Sequence, residues 1–274
     1  NGTITAVSGD NSTSSTSSLQ KALFIPETID STTITEYGSG SSISLSNNIK
    51  FLIYEANIVD IGDNAFTDCT SLTNIGLPIS LTILDYHEFQ NCTSLTNIEL
   101  SRNMTTIGDA TFAGCSSLES IYIPSSITTV SGSAFSGCSL LQITVASDNM
   151  NYSSNNGSLY NKAQTELIRG AGGVSTVNIL YTVTSIFSDA FSGCTSLTNI
   201  TIPSSVTWIP GSPFVGCTNL TSLTINTKDG YVWQCSYNGL EENFETMDLS
   251  DPVKNASSFK TNGYMFHVFR QIAA

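Results

Sequence analysis

A motif with one phenylalanine and one cysteine recurs along this sequence at a fixed spacing and limits the folds open to the chain. Successive copies of Phe-x-x-Cys start 23 residues apart, except for one interval of 56 residues. The residues of the motif are Phe66, Phe89, Phe112, Phe135, Phe191 and Phe214, with Cys69, Cys92, Cys115, Cys138, Cys194 and Cys217. A fixed period of about 20 to 50 residues indicates a solenoid, in which each repeat buries its apolar side chains only against its neighbours.

The apolar positions within one repeat indicate its local structure. After Cys194, apolar Leu197, Ile200 and Ile202 are separated by polar residues, and the last two alternate as a half-buried strand requires. Pro203 has no N–H to donate and ends the strand. A second short extended segment follows, and the repeat closes with one short helical turn that contains Phe-x-x-Cys.

We expect the phenylalanines and cysteines of the motif to form a structural ladder in the core. Stacked cysteines could approach disulfide distance, but a position beside a core phenylalanine suits a small buried hydrophobic side chain. The six cysteines of the ladder are therefore predicted to be free, buried thiols.

This pattern resembles the BspA-like leucine-rich repeat family. The resemblance rests on Ala65-Phe66-x-x-Cys69-x-Ser71-Leu72-x-x-Ile75-x-Leu77-Pro78 and on its copies at 88–110, 111–133, 190–212 and 213–225. It implies a curved, right-handed solenoid on a secreted or cell-surface bacterial protein that serves adhesion or protein binding. It implies no catalytic residue and no cofactor.

The predicted fold class is a β-rich leucine-rich-repeat solenoid, with short strands on one face and short extended segments and helical turns on the other. Residues 1–48 are interpreted as an N-terminal linker and a degenerate cap, and residues 49–226 as the solenoid. Residues 227–274 are rich in aromatic residues and predict a β-rich C-terminal cap that covers the open edge of the last repeat.

The long interval predicts an insertion. It exceeds one period by 33 residues (56 − 23), and the excess is confined to about residues 147–173. Two short apolar runs lie between Ser158 and Arg169, around a polar turn and flanked by glycine-rich segments. This arrangement indicates a β-hairpin that leaves the solenoid and returns to it.

Composition narrows the class of partner. The net charge is −13, with 9 Lys and Arg against 22 Asp and Glu, which disfavours nucleic acid and anionic membranes as partners. No stretch approaches the roughly 20 apolar residues of a transmembrane segment. The sequence begins at Asn1 without a signal peptide, so we interpret it as a mature or trimmed fragment of a secreted or surface protein.

Catalytic chemistry finds little support in the sequence. The two histidines are His87, in a repeat turn, and His267, among aromatic residues of the predicted cap. A nucleophilic pair of Cys235 and His267 is conceivable because both lie in that cap, but single Cys and His residues are more often packing residues. The cysteines lack the tight spacing of a zinc site. We therefore expect no enzyme, no metal and no cofactor.

Three functions remain open: binding of an extracellular protein, binding of a carbohydrate, and a structural spacer that presents another domain. Interface energy usually concentrates in aromatic anchors, and we expect the outward side of the repeat strands to carry them on a surface with little charge. The candidate partner-binding residues are Tyr122, Trp208, Glu99, Glu119, Asn97 and Asn199. Of these, Trp208 lies on the second extended segment of its repeat, where the indole is either exposed or covered by a neighbouring element.

Overall fold

The structure of the chain is a computed structural model with two compact units, Asn1–Phe135 (unit 1) and Ser136–Ala274 (unit 2), which we describe separately. The residues described are 22–25, 28–29, 32–33, 36–37, 51–54, 60–210, 213–236, 245–247, 250–260 and 268–273. Most of the proposed N-terminal linker and cap, His267 and the side chain of Cys235 lie outside the described residues.

Unit 1 consists of short strands. They are β1 (Ala22–Ile25), β2 (Thr28–Ile29), β3 (Thr32–Thr33), β4 (Glu36–Tyr37), β5 (Phe51–Tyr54), β6 (Asp60–Ile61), β7 (Asn74–Gly76), β8 (Ile83–Leu84), β9 (Asn97–Glu99), β10 (Thr106–Ile107), β11 (Ser120–Ile123) and β12 (Thr129–Val130).

Two parallel ladders organise unit 1. One contains β1, β5, β7, β9 and β11 in that order, and the other contains β8, β10 and β12. Residues one repeat apart pair directly, as Asn74 does with Asn97 and Thr106 with Thr129. Strands β2 and β3 form an antiparallel pair, and β4 lies parallel to β6. Each repeat thus contributes one strand to each ladder, which is the arrangement of a solenoid.

The phenylalanines of unit 1 stack in the core. The rings of Phe66 and Phe89 are 5.2 Å apart at an angle of 11°. Phe112 lies 5.6 Å from Phe89 and 5.7 Å from Phe135, again with nearly parallel rings. All four side chains are buried. Each ring therefore fills the gap between its neighbours, as nearest-neighbour burial in a solenoid requires.

The cysteine of each motif is also buried, and the six ladder cysteines are free thiols. Cys92 Sγ donates a hydrogen bond to the carbonyl oxygen of Phe66 at 3.1 Å, and Cys115 Sγ does the same to Phe89. The residue before each cysteine has a positive φ, such as 59° at Asn91 and 77° at Gly114. Glycine and asparagine tolerate this left-handed conformation, so the turn selects them there.

Unit 2 contains the remaining strands and one described helix. They are β13 (Gln142–Val145), β14 (Tyr152–Asn155), β15 (Ser158–Asn161), β16 (Glu166–Arg169), β17 (Thr176–Asn178), β18 (Ser185–Ile186), β19 (Asn199–Ile202), β20 (Trp208–Ile209), β21 (Ser222–Ile225), β22 (Tyr231–Ser236), β23 (Glu245–Met247), α1 (Pro252–Lys260) and β24 (Val268–Ala273).

Unit 2 continues the repeat pattern with its own ladders. Strands β17, β19 and β21 are parallel and in register, and β16, β18 and β20 form the second ladder. Phe191 and Phe214 stack with ring centroids 5.0 Å apart. The predicted leucine-rich-repeat solenoid is therefore confirmed.

The insertion is a three-stranded antiparallel meander of β14, β15 and β16. The predicted hairpin between Ser158 and Arg169 is confirmed as β15 and β16. Strand β14 precedes it through a tight turn at Asn156 and Gly157, which both have positive φ as a type I′ hairpin turn requires. Strand β16 then pairs in parallel with β18, so the last strand of the insertion serves as the second strand of a repeat.

A glycine-rich segment replaces the Phe-x-x-Cys turn of that repeat. The N–H of Gly170 donates to the carbonyl oxygen of Ala190 at 2.7 Å, and a Cβ on Gly170 would lie 2.1 Å from the Phe191 ring. The side chain of Arg169 is 1% exposed, and its guanidinium donates to the carbonyl oxygens of Asp189, Ser192 and Cys138. A buried guanidinium thus satisfies backbone acceptors where other repeats place a phenylalanine turn.

The C-terminal region forms a non-repeat cap, as predicted, but a helix within it was missed. Asp251 Oδ1 accepts hydrogen bonds from the N–H groups of Val253 and Lys254, so Asp251 is the N-cap of α1. The helix packs on the end of the phenylalanine ladder through Phe259, which meets Phe214 edge to face at 6.4 Å. Asn255 Nδ2 donates to the carbonyl oxygen of Leu223, which fixes α1 to β21.

Candidate binding surfaces

The outward residues of three neighbouring strands form one exposed surface in unit 1. We define the unit 1 strand face by these residues, which are Asn74, Gly76, Asn97, Glu99, Glu119, Ser120 and Tyr122. Four of the six candidate partner-binding residues belong to it.

Tyr122 is the most prominent side chain of the unit 1 strand face, with 56% of its surface exposed. Ser120 of β11 pairs with Asn97 of β9, so Tyr122, two residues further on, lies opposite Glu99. Glu119 is exposed directly before β11. The register therefore places an exposed aromatic ring opposite the carboxylate of Glu99, an arrangement that suits a basic partner surface.

Threonine hydroxyls beside the strand faces serve mainly to join repeats. In each unit they donate to the carbonyl oxygen of the residue one repeat earlier, at 3.1 to 3.2 Å. The pairs are Thr96 with Thr73, Thr105 with Thr82, Thr198 with Ser175, and Thr221 with Thr198. These hydroxyls therefore contribute to the contacts between neighbouring repeats.

A groove lies over the outward side of β17 and β19 in unit 2, which we call the unit 2 strand face. We name it the Asn groove, because five asparagines contribute to its lining, and its volume is about 540 Å³. Strands β17 and β19 both contribute to its lining, and Asn178 pairs with Thr201 across the two strands. Its asparagines are Asn155, Asn156, Asn178, Asn199 and Asn226.

The insertion supplies one side of the Asn groove. Asn155 and Asn156 lie at the tip of the hairpin of β14 and β15. The tip is held to β13, because the N–H of Ile143 donates to the carbonyl oxygen of Gly157 at 2.9 Å. The sequence located Asn199 as a candidate but missed the other four asparagines, since nothing local shows that the hairpin tip meets the strand face.

Trp208 lies away from the two strand faces. It belongs to β20, is half-buried, and pairs across the backbone with Arg270 of the antiparallel β24. The two alternatives for this indole were exposure and cover by a neighbouring element. Because Trp208 lies beside β24, we interpret it as a packing residue where the repeats join the C-terminal strands.

Glu88 is a buried carboxyl group that the sequence analysis missed. It occupies the position held by alanine in the repeats of Phe66, Phe135 and Phe191. Its side chain is 0% exposed, and Oε1 accepts a hydrogen bond from the N–H of Asp85. Burial raises the pKa of Glu88 to about 8, and the negative charges of Asp85 and Asp63 act in the same direction. Comparison of the repeats position by position would have revealed it.

Metal ligands and reactive cysteines were sought among the described residues. No three His, Cys, Asp or Glu side chains among them come together as a metal site. Burial raises the pKa of Cys69 to about 11 and that of Cys217 to about 12, whereas a nucleophilic cysteine needs a lowered pKa. His87 is half-buried in its repeat turn.

Comparison with known families identifies the repeat. The sequence model of the BspA type leucine rich repeat region matches residues 39–162 and 169–263, in six copies. The chain belongs to the BspA-type leucine-rich repeat family. The match to this BspA-type repeat family covers most of the chain and includes both strand faces. A search of curated proteins gave no significant match.

Solved structures of bacterial leucine-rich repeat proteins are similar to this BspA-type chain. One from Eubacterium ventriosum is 22% identical, with a TM-score of 0.54, over 72% of this chain and 67% of the other. One from T. pallidum is 24% identical, with a TM-score of 0.47, over 73% and 78% of the two chains. The first likeness supports the repeat fold.

Membrane insertion through a helix is not observed in the part of the chain that the structure describes. Helix α1 has nine residues, and none of the described helical structure is long and apolar enough to cross a bilayer.

Proposed function

We propose that this BspA-type protein is a non-enzymatic binding protein that attaches to another extracellular protein through the unit 1 strand face. The observation that carries the proposal is Tyr122, an exposed ring that the register places beside the carboxylate of Glu99. Exposed aromatic side chains often supply most of the binding energy of an interface. The family assignment is in keeping with a binding or adhesion role on a secreted or cell-surface bacterial protein.

The charge of this face defines the kind of partner. Glu99 and Glu119 are both exposed, and the chain as a whole carries a net charge of −13. Opposite charge on a partner accelerates encounter and favours the correct orientation. The proposed partner is therefore a protein with a basic surface patch around an apolar pocket that accepts the Tyr122 ring.

The test is a binding screen against a panel of purified extracellular proteins of known charge, immobilised for biolayer interferometry. We expect the ligands to be basic proteins and the association rate to fall as salt is raised. Tyr122→Ala should weaken binding by more than about 1 kcal/mol, and Tyr122→Phe should retain most of it. Glu99→Gln combined with Glu119→Gln should mainly lower the association rate.

Tyr86→Ala is the matched aromatic control, because Tyr86 is exposed in unit 1 and does not belong to the unit 1 strand face. Full binding by Tyr122→Ala, or binding that does not depend on salt, would contradict the proposal. Circular dichroism would show that each variant is folded before binding is compared.

A further inference from the structure

We propose that the Asn groove of unit 2 is a binding site for a neutral carbohydrate chain. This site goes beyond the protein-binding surface of unit 1, since it uses other residues and another chemistry. Its volume of about 540 Å³ lies within the range of about 300–1,000 Å³ that is usual for small-molecule sites.

The polar lining of the groove consists of groups that both donate and accept hydrogen bonds. A side-chain amide offers an acceptor oxygen and two N–H donors. A pair of neighbouring sugar hydroxyls offers the complementary donor and acceptor. The amides of Asn155, Asn156, Asn178 and Asn226 make no hydrogen bond to the described residues, so they are available to a ligand.

An exposed ring stands in the same groove. Tyr181 is 84% exposed and follows β17, and Leu180 and Pro203 add half-buried apolar surface beside it. One face of a sugar ring presents C–H groups with partial positive charge, which suit the negative face of an aromatic ring. The combination of an exposed tyrosine ring and neighbouring amide groups therefore suits the binding of a sugar.

The charge of the groove defines the class of carbohydrate. The described lining contains no Asp, Glu, Lys, Arg or His. A sialylated or sulfated sugar would gain no ionic partner here and would lose part of its hydration. The ligand is therefore an uncharged oligosaccharide or a neutral section of a longer glycan.

The groove is held in place before any ligand arrives. Val145 donates its N–H to Ser154 Oγ at 3.0 Å, which ties the hairpin to β13 beside the contact at Gly157. Asn199 Nδ2 donates to Thr198 Oγ1 at 2.9 Å, so its amide is oriented with Oδ1 available as an acceptor. A preorganised site loses less conformational entropy when a ligand binds.

An extended peptide fits the groove less well than a glycan. Peptides that bind to sheets usually pair with the backbone of a free edge. Among the described strands β17 pairs only with β19, so a peptide could pair with its other side, whereas Asn199 and Asn226 lie on the β19 side, on β19 and after β21. Such a peptide would leave these two amides without a partner, and a glycan that spans the groove would not.

The test uses the whole chain on a printed array of neutral, sialylated and sulfated oligosaccharides, followed by titration calorimetry with the strongest neutral ligand. Tyr181→Ala should weaken binding about three- to tenfold, and Tyr181→Phe should retain it because the ring remains. Asn199→Ala should also weaken binding. Asn74→Ala, at the equivalent position of β7 in unit 1, is the matched control and should bind normally.

Tyr122→Ala separates this proposal from the protein-binding function. It should leave glycan binding unchanged, and Tyr181→Ala should leave binding to a basic protein unchanged. The absence of any neutral glycan ligand, binding of charged glycans alone, binding of a peptide at the groove without any glycan, or full glycan binding by Tyr181→Ala would each overturn the proposal. Because Tyr181 is exposed, its substitution is expected to leave the fold intact, which thermal unfolding would verify.

Discussion

The guanidinium of Arg169 donates a hydrogen bond to the carbonyl oxygen of Cys138 at 2.8 Å, 31 residues earlier in the chain. The same guanidinium also donates hydrogen bonds to the carbonyl oxygens of Asp189 and Ser192, both at 3.0 Å. One buried side chain thereby connects the turn before the insertion to the turn after it.

Arg169→Ala should destabilise unit 2 strongly. Its removal takes away three hydrogen bonds from a charged donor, each of which contributes about 1.5–3 kcal/mol, although each carbonyl keeps a backbone N–H donor. We expect a loss of about 3 kcal/mol or more in the free energy of unfolding, measured by urea denaturation. Arg102→Ala is the control, because Arg102 is exposed and such changes usually stay within about 0.5 kcal/mol. Equal effects of the two changes would contradict the assigned role.

Phe112→Ala should cost about 3–5 kcal/mol, because it empties the space between two stacked rings. Since a solenoid couples only nearest neighbours, the unfolding transition should also broaden. Urea denaturation followed by circular dichroism measures both effects. Tyr86→Ala, at an exposed position, should change neither. A cost below about 1 kcal/mol for Phe112→Ala would show that the ring is not a core element.

The six ladder thiols should resist alkylation in the native protein. Burial raises the pKa of the Cys69, Cys92, Cys194 and Cys217 thiols, so the reactive thiolate is scarce at pH 8. Iodoacetamide labelling with peptide mapping should show these six sites unmodified before denaturation and fully modified after it. A disulfide between Cys69 and Cys92 in the native protein would contradict this.

Glu88 should make stability depend on pH. Its pKa is about 8 in the folded protein and has an ordinary value near 4.5 when unfolded, so folding retains a proton that the unfolded chain releases. Stability should therefore be greatest below pH 4.5 as far as this group is concerned, and fall by roughly 1.4 kcal/mol per pH unit up to about pH 8.

Glu88→Gln removes this contribution. The variant and the parent protein should be similar in stability near pH 4, and the variant should be more stable at pH 8. Urea denaturation at pH 4, 6 and 8 measures the difference. Glu99→Gln is the exposed control, and its difference from the parent should stay small at each pH. A constant difference for Glu88→Gln across this range would refute the assignment.

The sequence predicts the solenoid well because each position of the repeat occurs in several copies, which can be compared with one another. Ile75, Ile98 and Ile200 alternate with polar neighbours in the same way in each copy, and all three are buried in the first-strand ladders. Helix α1 was missed although Asp251 and Pro252 form a known helix-start signal, because the aromatic segments around it suggested strands.

The Asn groove could not be predicted in the same way. It depends on the contact between a hairpin tip and strands about 20 to 45 residues later, which no repeated pattern encodes. Strand β14 is polar, Tyr-Ser-Ser-Asn, and lacks the apolar alternation by which strands are recognised. Arg169 likewise shows no local sign of burial, since charged residues are usually exposed and its partners are backbone groups distant in sequence.

The direct pairing of equivalent residues, such as Asn74 with Asn97, has a consequence for the gene. Unequal recombination between the DNA segments that encode two repeats removes or adds a whole number of periods. Loss of residues 89–111 would place Phe112 where Phe89 stood beside Phe66, with both ladders still in register. Such a protein can therefore change in length during evolution while the contacts between repeats stay the same, whereas an insertion of another size has to leave the stack and return to it, as β14, β15 and β16 do.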